Sequence, residues 1–209
     1  MKAAIVALAD LAPDFVLAPE RHVALAQRGD GVPLGELVEE RSERIDPRAA
    51  ERAVVLDTSH ARDGILDVAG ALRVVAGAKS AKKRALAGDL LVSRLRPYLR
   101  QIALVHPRAI AAADGRPLAL STEFYVLAPR SPDHDLAFLV PYLLSPLVQQ
   151  LLAAAQEGGH HPRVPRSSLF ALRVPRALVR TRAKVSRAVT GAFGDFYEAE
   201  ASLRALLDP

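Results

Sequence analysis

The sequence predicts an α+β protein: a twisted, mostly antiparallel sheet with flanking helices, followed by a long C-terminal helix. Three observations carry this. Short runs rich in Val, Leu and Ile recur between residues 54 and 128 with turn residues between them, which is the pattern of short strands joined by turns. From Asp135 to Gly158 the leucine spacing turns helical. From Arg176 to the end the apolar residues fall on alternating steps of three and four, the spacing of a helix that pairs along one seam.

Each element follows from local chemistry. Residues 1–32 form a lead-in, with "AIVAL" as a short strand and "APERHVALAQRGDG" as a helix stopped by Gly29 and Gly31. "PLGELVEERSERIDP" starts a new unit. Leu34, Leu37 and Val38 give it a helical turn that must end before Pro47. "AVVLDTSH", "DGILDVAG" and "LRVVAGA" read as short strands, and "KSAKKRALAGD" is a basic connection. "DLLVSRL" and "QIALVHP" are strands separated by "RPYLR". "LALSTEFYVLAP" is one more strand, ending at Pro129. "DLAFLVPYLLSPLVQQLLAAAQEG" is helical and split by Pro141 and Pro146. A loop, "GGHHPRVPRSS", leads to a last strand, "LFALRVP".

The C-terminal seam is Leu178, Val185, Val189, Ala192, Phe196, Ala199, Leu203 and Leu206, interrupted by Arg182. Residues 176–207, if wholly helical, span roughly 48 Å. Gly191 and Gly194 weaken the helix by about 1 kcal/mol each relative to Ala, so packing must offset them. The seam serves either pairing with another helix or packing onto its own domain.

The 209 residues suit one domain of ordinary size, or one domain with an appendage. The absence of cysteine excludes disulfides and thiolate metal sites and fits a reducing compartment. Asp10 and Asp14 break the apolar N-terminal run, and no run is long enough to cross a bilayer. A soluble, cytoplasmic protein without membrane contact is expected. Net charge is +5. The nine cations Arg73, Lys79, Lys82, Lys83, Arg84, Arg94, Arg96, Arg100 and Arg108 accompany a single acid, Asp89. Ser93, Tyr98 and Gln101 lie among them. Such a block suits phosphates. Arg can also read guanine, and Gln adenine.

Several chemistries find no support. "GDGVPLG" has neither phosphate-loop spacing nor a following Lys-Ser/Thr. There is no G-x-S-x-G elbow and no Asn/Asp-Pro-Pro-aromatic tetrad for amino methylation. Asp133, Asp135 and Glu123 make only a partial nuclease-like set, because Phe124 and Tyr125 follow Glu123. His160 and His161 are adjacent and point apart on an extended chain, so one metal cannot readily take both. No cofactor and no catalysis are expected.

"GDLLVSRLRPYLRQIALV" resembles a target recognition domain of the specificity subunit of type I restriction-modification systems. The resemblance rests on Gly88, Asp89, Leu90, Leu91, Ser93, Arg96 and Pro97. Other segments are similar in the same order: "PLGELVEERSERIDPR", "AVVLDTSHARDGIL", "LSTEFYVLAP" and "FLVPYLLSPLVQQLLAAAQEGGHHPRVPRSSLFALRVP". The similarity covers residues 33–175. It implies a non-catalytic module over 1–175 that reads double-stranded DNA and directs a methyltransferase subunit, and sometimes a nuclease, to its site. Residues 176–209 would be the spacer helix. A full subunit of that family carries two such domains, so this chain has the length of half of one and could pair with its own copy. Under this reading Lys79, Lys82, Lys83 and Arg84 contact phosphates. Arg94, Arg96, Tyr98, Arg100, His161 and Arg163 meet base edges or grooves, with Ser93 beside them. The alternative is a protein-interaction adaptor that keeps the fold without reading DNA. The target sequence is not legible, because specificity sits in variable loops and in DNA shape.

Overall fold

The structure is a computed structural model that describes residues 31–72, 82–131, 134–160 and 162–207. The expected lead-in elements before Gly31 lie outside these residues, as does most of "LRVVAGA". The architecture is α+β, with a mainly antiparallel core and a long C-terminal helix.

Strand β1 (Gly31–Pro33) leads into one helical turn, α1 (Leu34–Leu37), and then β2 (Val38–Glu40). Val38 therefore leaves the expected helical turn: it is fully buried and paired with Pro129 of a later strand. A short helix, α2 (Pro47–Ala50), is capped by Asp46, whose carboxylate accepts from the Arg48 and Ala49 amides. β3 (Val54–Leu56) and a 3₁₀ turn (Thr58–His60) follow. Next comes a tight hairpin, β4 (Ala61–Arg62) and β5 (Ile65–Leu66). Its turn residues Asp63 and Gly64 have φ of 50° and 94°, as a two-residue hairpin demands. "DGILDVAG" is thus not one strand. Its second half is helix α3 (Val68–Leu72), begun by Asp67, which accepts from the Gly70 amide at 2.6 Å.

β6 (Lys83–Arg84), β7 (Leu90–Ser93), β8 (Ile102–Leu104), α4 (Pro107–Ala111), β9 (Leu118–Leu120) and β10 (Phe124–Pro129) complete the sheets. The sequence suggests one strand over "LALSTEFYVLAP", but the turn at Ser121 divides it. Ser121 accepts the Glu123 amide on its hydroxyl and the Phe124 amide on its carbonyl. The two pieces join different sheets: β3-β9-β6, in which β3 is parallel to β9, and the antiparallel β2-β10-β7-β8. Helices α5 (Leu139–Leu143) and α6 (Pro146–Ala154) split before Pro146, while Pro141 sits in the first turn of α5, where its missing N–H costs little. "LFALRVP" is also divided, into the end of α7 (Arg166–Phe170) and β11 (Arg173–Pro175), which pairs with β1. Helix α8 (Arg176–Arg180) and the 26-residue α9 (Arg182–Leu207) end the chain, with a break at Thr181.

The four-stranded sheet lies between two apolar cores, and alternation along each strand feeds both. Tyr125 and Leu127 of β10, with Leu90 and Val92 of β7, join one core. Phe124 and Val126, with Leu91 and Ala103, join the other. Helix α9 closes both: Val185 and Val189 pack on the first core, Tyr197 on the second and Phe193 on both. No helix among the described residues is long and apolar enough to cross a membrane.

Candidate nucleic-acid interface

The loop between β7 and β8 is set by its own residues. Ser93 is buried, and its hydroxyl accepts the Leu95 amide and donates to the Leu95 carbonyl, each at 3.1 Å. Pro97 opens a 3₁₀ turn over Pro97–Leu99 beyond the end of the ladder, where the missing donor costs the sheet nothing. Arg96 and Arg100 bracket that turn in the left-handed region, with φ of 43° and 54°. Such a conformation costs a non-glycine residue on the order of 1–3 kcal/mol, and residues held in it cluster at functional sites. The loop drives Tyr98 and Leu99 outward, at 66% and 39% exposure.

A second loop meets the first. The Glu157 and Arg163 backbones exchange hydrogen bonds of 2.9 and 2.8 Å and close the segment between them. Arg163 also bridges to Leu95, and the Val164 amide donates to the Arg94 carbonyl. Between the loops is a cleft of about 230 Å³, lined by Thr58, Arg96, Tyr98, Gln101, Gln156, His160 and their apolar neighbours. An aromatic rim, a cation, two amides and an imidazole can stack on a base, contact a phosphate and bond base edges.

The residues expected from sequence divide sharply. Arg96 and Tyr98 reach the cleft with no internal side-chain bond among the described residues, and Lys82 likewise makes none. Arg94 turns inward instead: its guanidinium lies 5.3 Å from the Tyr125 ring centroid, and its Nε is buried without an acceptor among the described residues. Burial raises the Tyr125 hydroxyl above its usual pKa while the Arg94 charge opposes the shift. The hydroxyl donates to Val164.

Arg100 donates to Asp63 at 2.5 Å and to the Leu144 carbonyl at 3.0 Å, which ties the loop to the hairpin and to the end of α5. Arg163 grips Glu123 through two bonds of 2.9 and 2.6 Å, and that carboxylate raises its pKa further. Lys83 is 15% exposed, paired with Glu40 and donating to the Phe124 carbonyl. Arg84 pairs with Glu43 at the surface. Lys79 and His161 lie outside the described residues. Within the basic block, Lys83, Arg84, Arg100 and Arg108 are thus paired with acids from elsewhere in the chain, whereas Lys82, Arg94 and Arg96 meet no carboxylate among the described residues.

Thr58, Gln156 and His160 enter the cleft without having been among the expected contacts. Gln156 closes an alanine-rich helix and Thr58 follows a strand, so neither carries a local signal; only the meeting of distant loops selects them. Of the nuclease-like set, Asp133 is outside the described residues. Glu123 holds Arg163, while Asp135 accepts the Ala137 amide and neighbours Thr190. No group of three or more His, Asp or Glu able to hold a metal exists among the described residues.

No protein-family model matches the chain, and no curated protein matches it. Among solved structures, it is similar to a chain from a structural study of complex assembly and conformational transition in a type I R-M system. The TM-score is 0.53 at 24% identity, over 85% of this chain and 46% of that one. It is also similar to the HsdS subunit from Thermoanaerobacter tengcongensis, with TM-score 0.49 and 25% identity over 83% of this chain and 44% of that one. The chain thus spans less than half the length of either. What the first of these shares with this chain is the fold: an α+β sheet unit continued by a long helix.

Proposed function

We infer that the chain is a DNA-reading specificity subunit of a type I restriction-modification system, with residues 1–175 reading double-stranded DNA and residues 176–209 as the spacer helix. It directs a methyltransferase subunit, and with it a nuclease, to its site, and acts in the cytoplasm. The observation that carries this is the Arg96–Arg100 loop. A conformationally costly backbone holds Tyr98 outward beside a cation and a cleft bearing two amides. Neither the Arg96 nor the Tyr98 side chain bonds to another described residue, so both are available to a partner. The fold shared with a chain from a type I R-M system supports the same reading.

The test is fluorescence-anisotropy titration of the full chain, alone and with a type I methyltransferase subunit, against a randomised duplex pool and the sequences enriched from it. The expected result is enrichment of a defined site. Tyr98→Ala should lower affinity for that site about tenfold, the equivalent of one lost base-edge contact in a groove. Failure to enrich any sequence would sink the reading.

A second reading is a protein adaptor, favoured by an uncovered apolar stripe on α9. Phe196, Leu203 and Leu206 are 46%, 57% and 79% exposed. Under it, Arg96→Glu leaves partner binding unchanged and there is no DNA binding to lose.

A further inference from the structure

We propose that a stripe of cations that tracks the DNA backbone sits on the C-terminal helical segment, as Arg180, Lys184 and Arg187, in addition to Lys82 and Arg96 of the basic block, which are unpaired among the described residues. The inference rests on the DNA-reading function proposed above and adds a phosphate-binding surface to it.

Two observations lead there. The first is where charge is left uncompensated. In the sheet domain Lys83, Arg84, Arg100, Arg163 and Arg166 each have a carboxylate within 3.1 Å, while Lys82, Arg94 and Arg96, which share no single helix face, have none among the described residues. Arg180, Lys184 and Arg187 are exposed and make no side-chain hydrogen bond or ion pair with any described residue. No acid occurs anywhere between Glu157 and Asp195. Arg182, half-buried between the members of the stripe, is also without a partner among the described residues.

The second is geometry. Positions 180, 184 and 187 stand at i, i+4 and i+7, one face of a helix. The break at Thr181 does not scatter them, because Thr181 still donates to Ala177 and accepts from Lys184 and Val185. The opposite face carries buried Ser186, so the stripe points to solvent. The stripe is roughly 10 Å long at 1.5 Å per residue. One DNA strand presents a phosphate about every 3.4 Å of helix axis, so about three phosphates fall within that length.

The chemistry favours a polyanion over a protein partner. The residues around the stripe are small: Ala177, Ala183, Ala188 and Gly191. They let a phosphate chain approach closely but offer none of the aromatic or aliphatic anchors on which protein interfaces depend. The helix does own such anchors, at Phe196 and Leu203, but on a different face and further along.

The experiment compares the full-length protein with the triple variant Arg180→Gln, Lys184→Gln, Arg187→Gln. Glutamine keeps helix propensity, and unchanged circular dichroism checks folding. Binding of two unrelated 30-base-pair duplexes is followed across a salt series. The expected result is weaker binding to both duplexes alike. The slope of log affinity against log salt should fall by about 2.7, at roughly 0.9 per lost phosphate contact. A wild-type protein that binds with a slope the triple variant leaves unchanged overturns the inference while the proposed function stands. Loss of methyltransferase-subunit binding with an unchanged DNA slope also overturns it and makes the stripe a protein-docking surface. A wild-type protein that binds neither duplex removes the reading beneath it.

Discussion

Asp89 shows how a single buried side chain organises the candidate interface. It is 1% exposed. Its carboxylate accepts the Leu86 amide at 2.8 Å and the Arg41 guanidinium at 2.9 and 3.2 Å. It thereby ties the start of β7 to the residue that follows β2. Removing it takes the acceptor from the part-buried Leu86 amide and leaves Arg41 without its counter-charge. Losing one partner of such a pair costs about 3–5 kcal/mol. Arg41 is 24% exposed and water relieves part of that, so about 3 kcal/mol is expected for Asp89→Ala and less for Asp89→Asn, which keeps an acceptor. Urea midpoints measure both, and equal midpoints for Asp89→Ala and wild type would refute the assignment. The Gly-Asp pair was visible in the sequence as a motif, but its reason was not. Gly88 needs its φ of 86°, and the partner of Asp89 lies 48 residues away. The same distance effect hid the fate of the arginines: Glu123 is 40 residues from Arg163 and Asp63 is 37 from Arg100.

At the scale of elements, the strands were legible and their breaks were not. Alternating or continuous apolar runs gave β3, β7, β8 and β10 because those strands are buried by their own residues. The division between β9 and β10 depends on Ser121 accepting the Glu123 and Phe124 amides, and the helical turn at Val68 depends on Asp67; both are local contests that hydropathy does not register. The C-terminal helix was legible as a helix, yet its seam is shared out. Leu178, Val185 and Val189 pack on the domain, whereas Phe196, Leu203 and Leu206 remain exposed.

The contact that docks α9 is a titratable one. His106 is 5% exposed and stacks on Tyr197 at 5.5 Å, and its Nδ1 accepts the Arg108 amide. Tyr197, its hydroxyl pushed up to about 12 by burial, accepts from the Leu66 amide and donates to the Leu66 carbonyl. Gly64 permits the close approach of Phe193, since a Cβ there would stand 2.5 Å from its ring. Burial holds His106 below its ordinary pKa, helped by Arg108 and opposed by the Thr190 bond and Asp135. The unfolded chain therefore binds a proton that the folded one refuses. Stability from this group is full above the unfolded value near 6.5 and is lost as pH falls below it. Melting temperatures between pH 8 and pH 5 should drop in the wild type and drop less in His106→Asn, which keeps a capping acceptor for the Arg108 amide. Parallel curves for the two proteins would exclude His106 as the source.

For the whole molecule, the second half of α9 carries an apolar stripe that the described residues leave uncovered. Ala192, Phe196, Ala199, Leu203 and Leu206 continue the spacing of three and four after the domain has ceased to bury it. The small Ala192 and Ala199 leave room beside the larger Phe196 and Leu203 for side chains of a facing helix. A two-fold pairing needs only one self-complementary stripe, which a second copy of this chain would supply. Pairing of two recognition units would also present two reading loops to one duplex, so the site enriched by the wild type should be a symmetric sequence. The expected outcome in light scattering at tens of micromolar is twice the monomer mass. Phe196→Glu with Leu203→Glu should give the monomer mass at an unchanged melting temperature, because neither side chain belongs to either core. That double variant should still bind a half-site duplex through the Arg96–Arg100 loop while losing the preference for two half-sites at fixed spacing. A wild type that is monomeric at every concentration, and enriches an asymmetric site, would assign the stripe to a different protein.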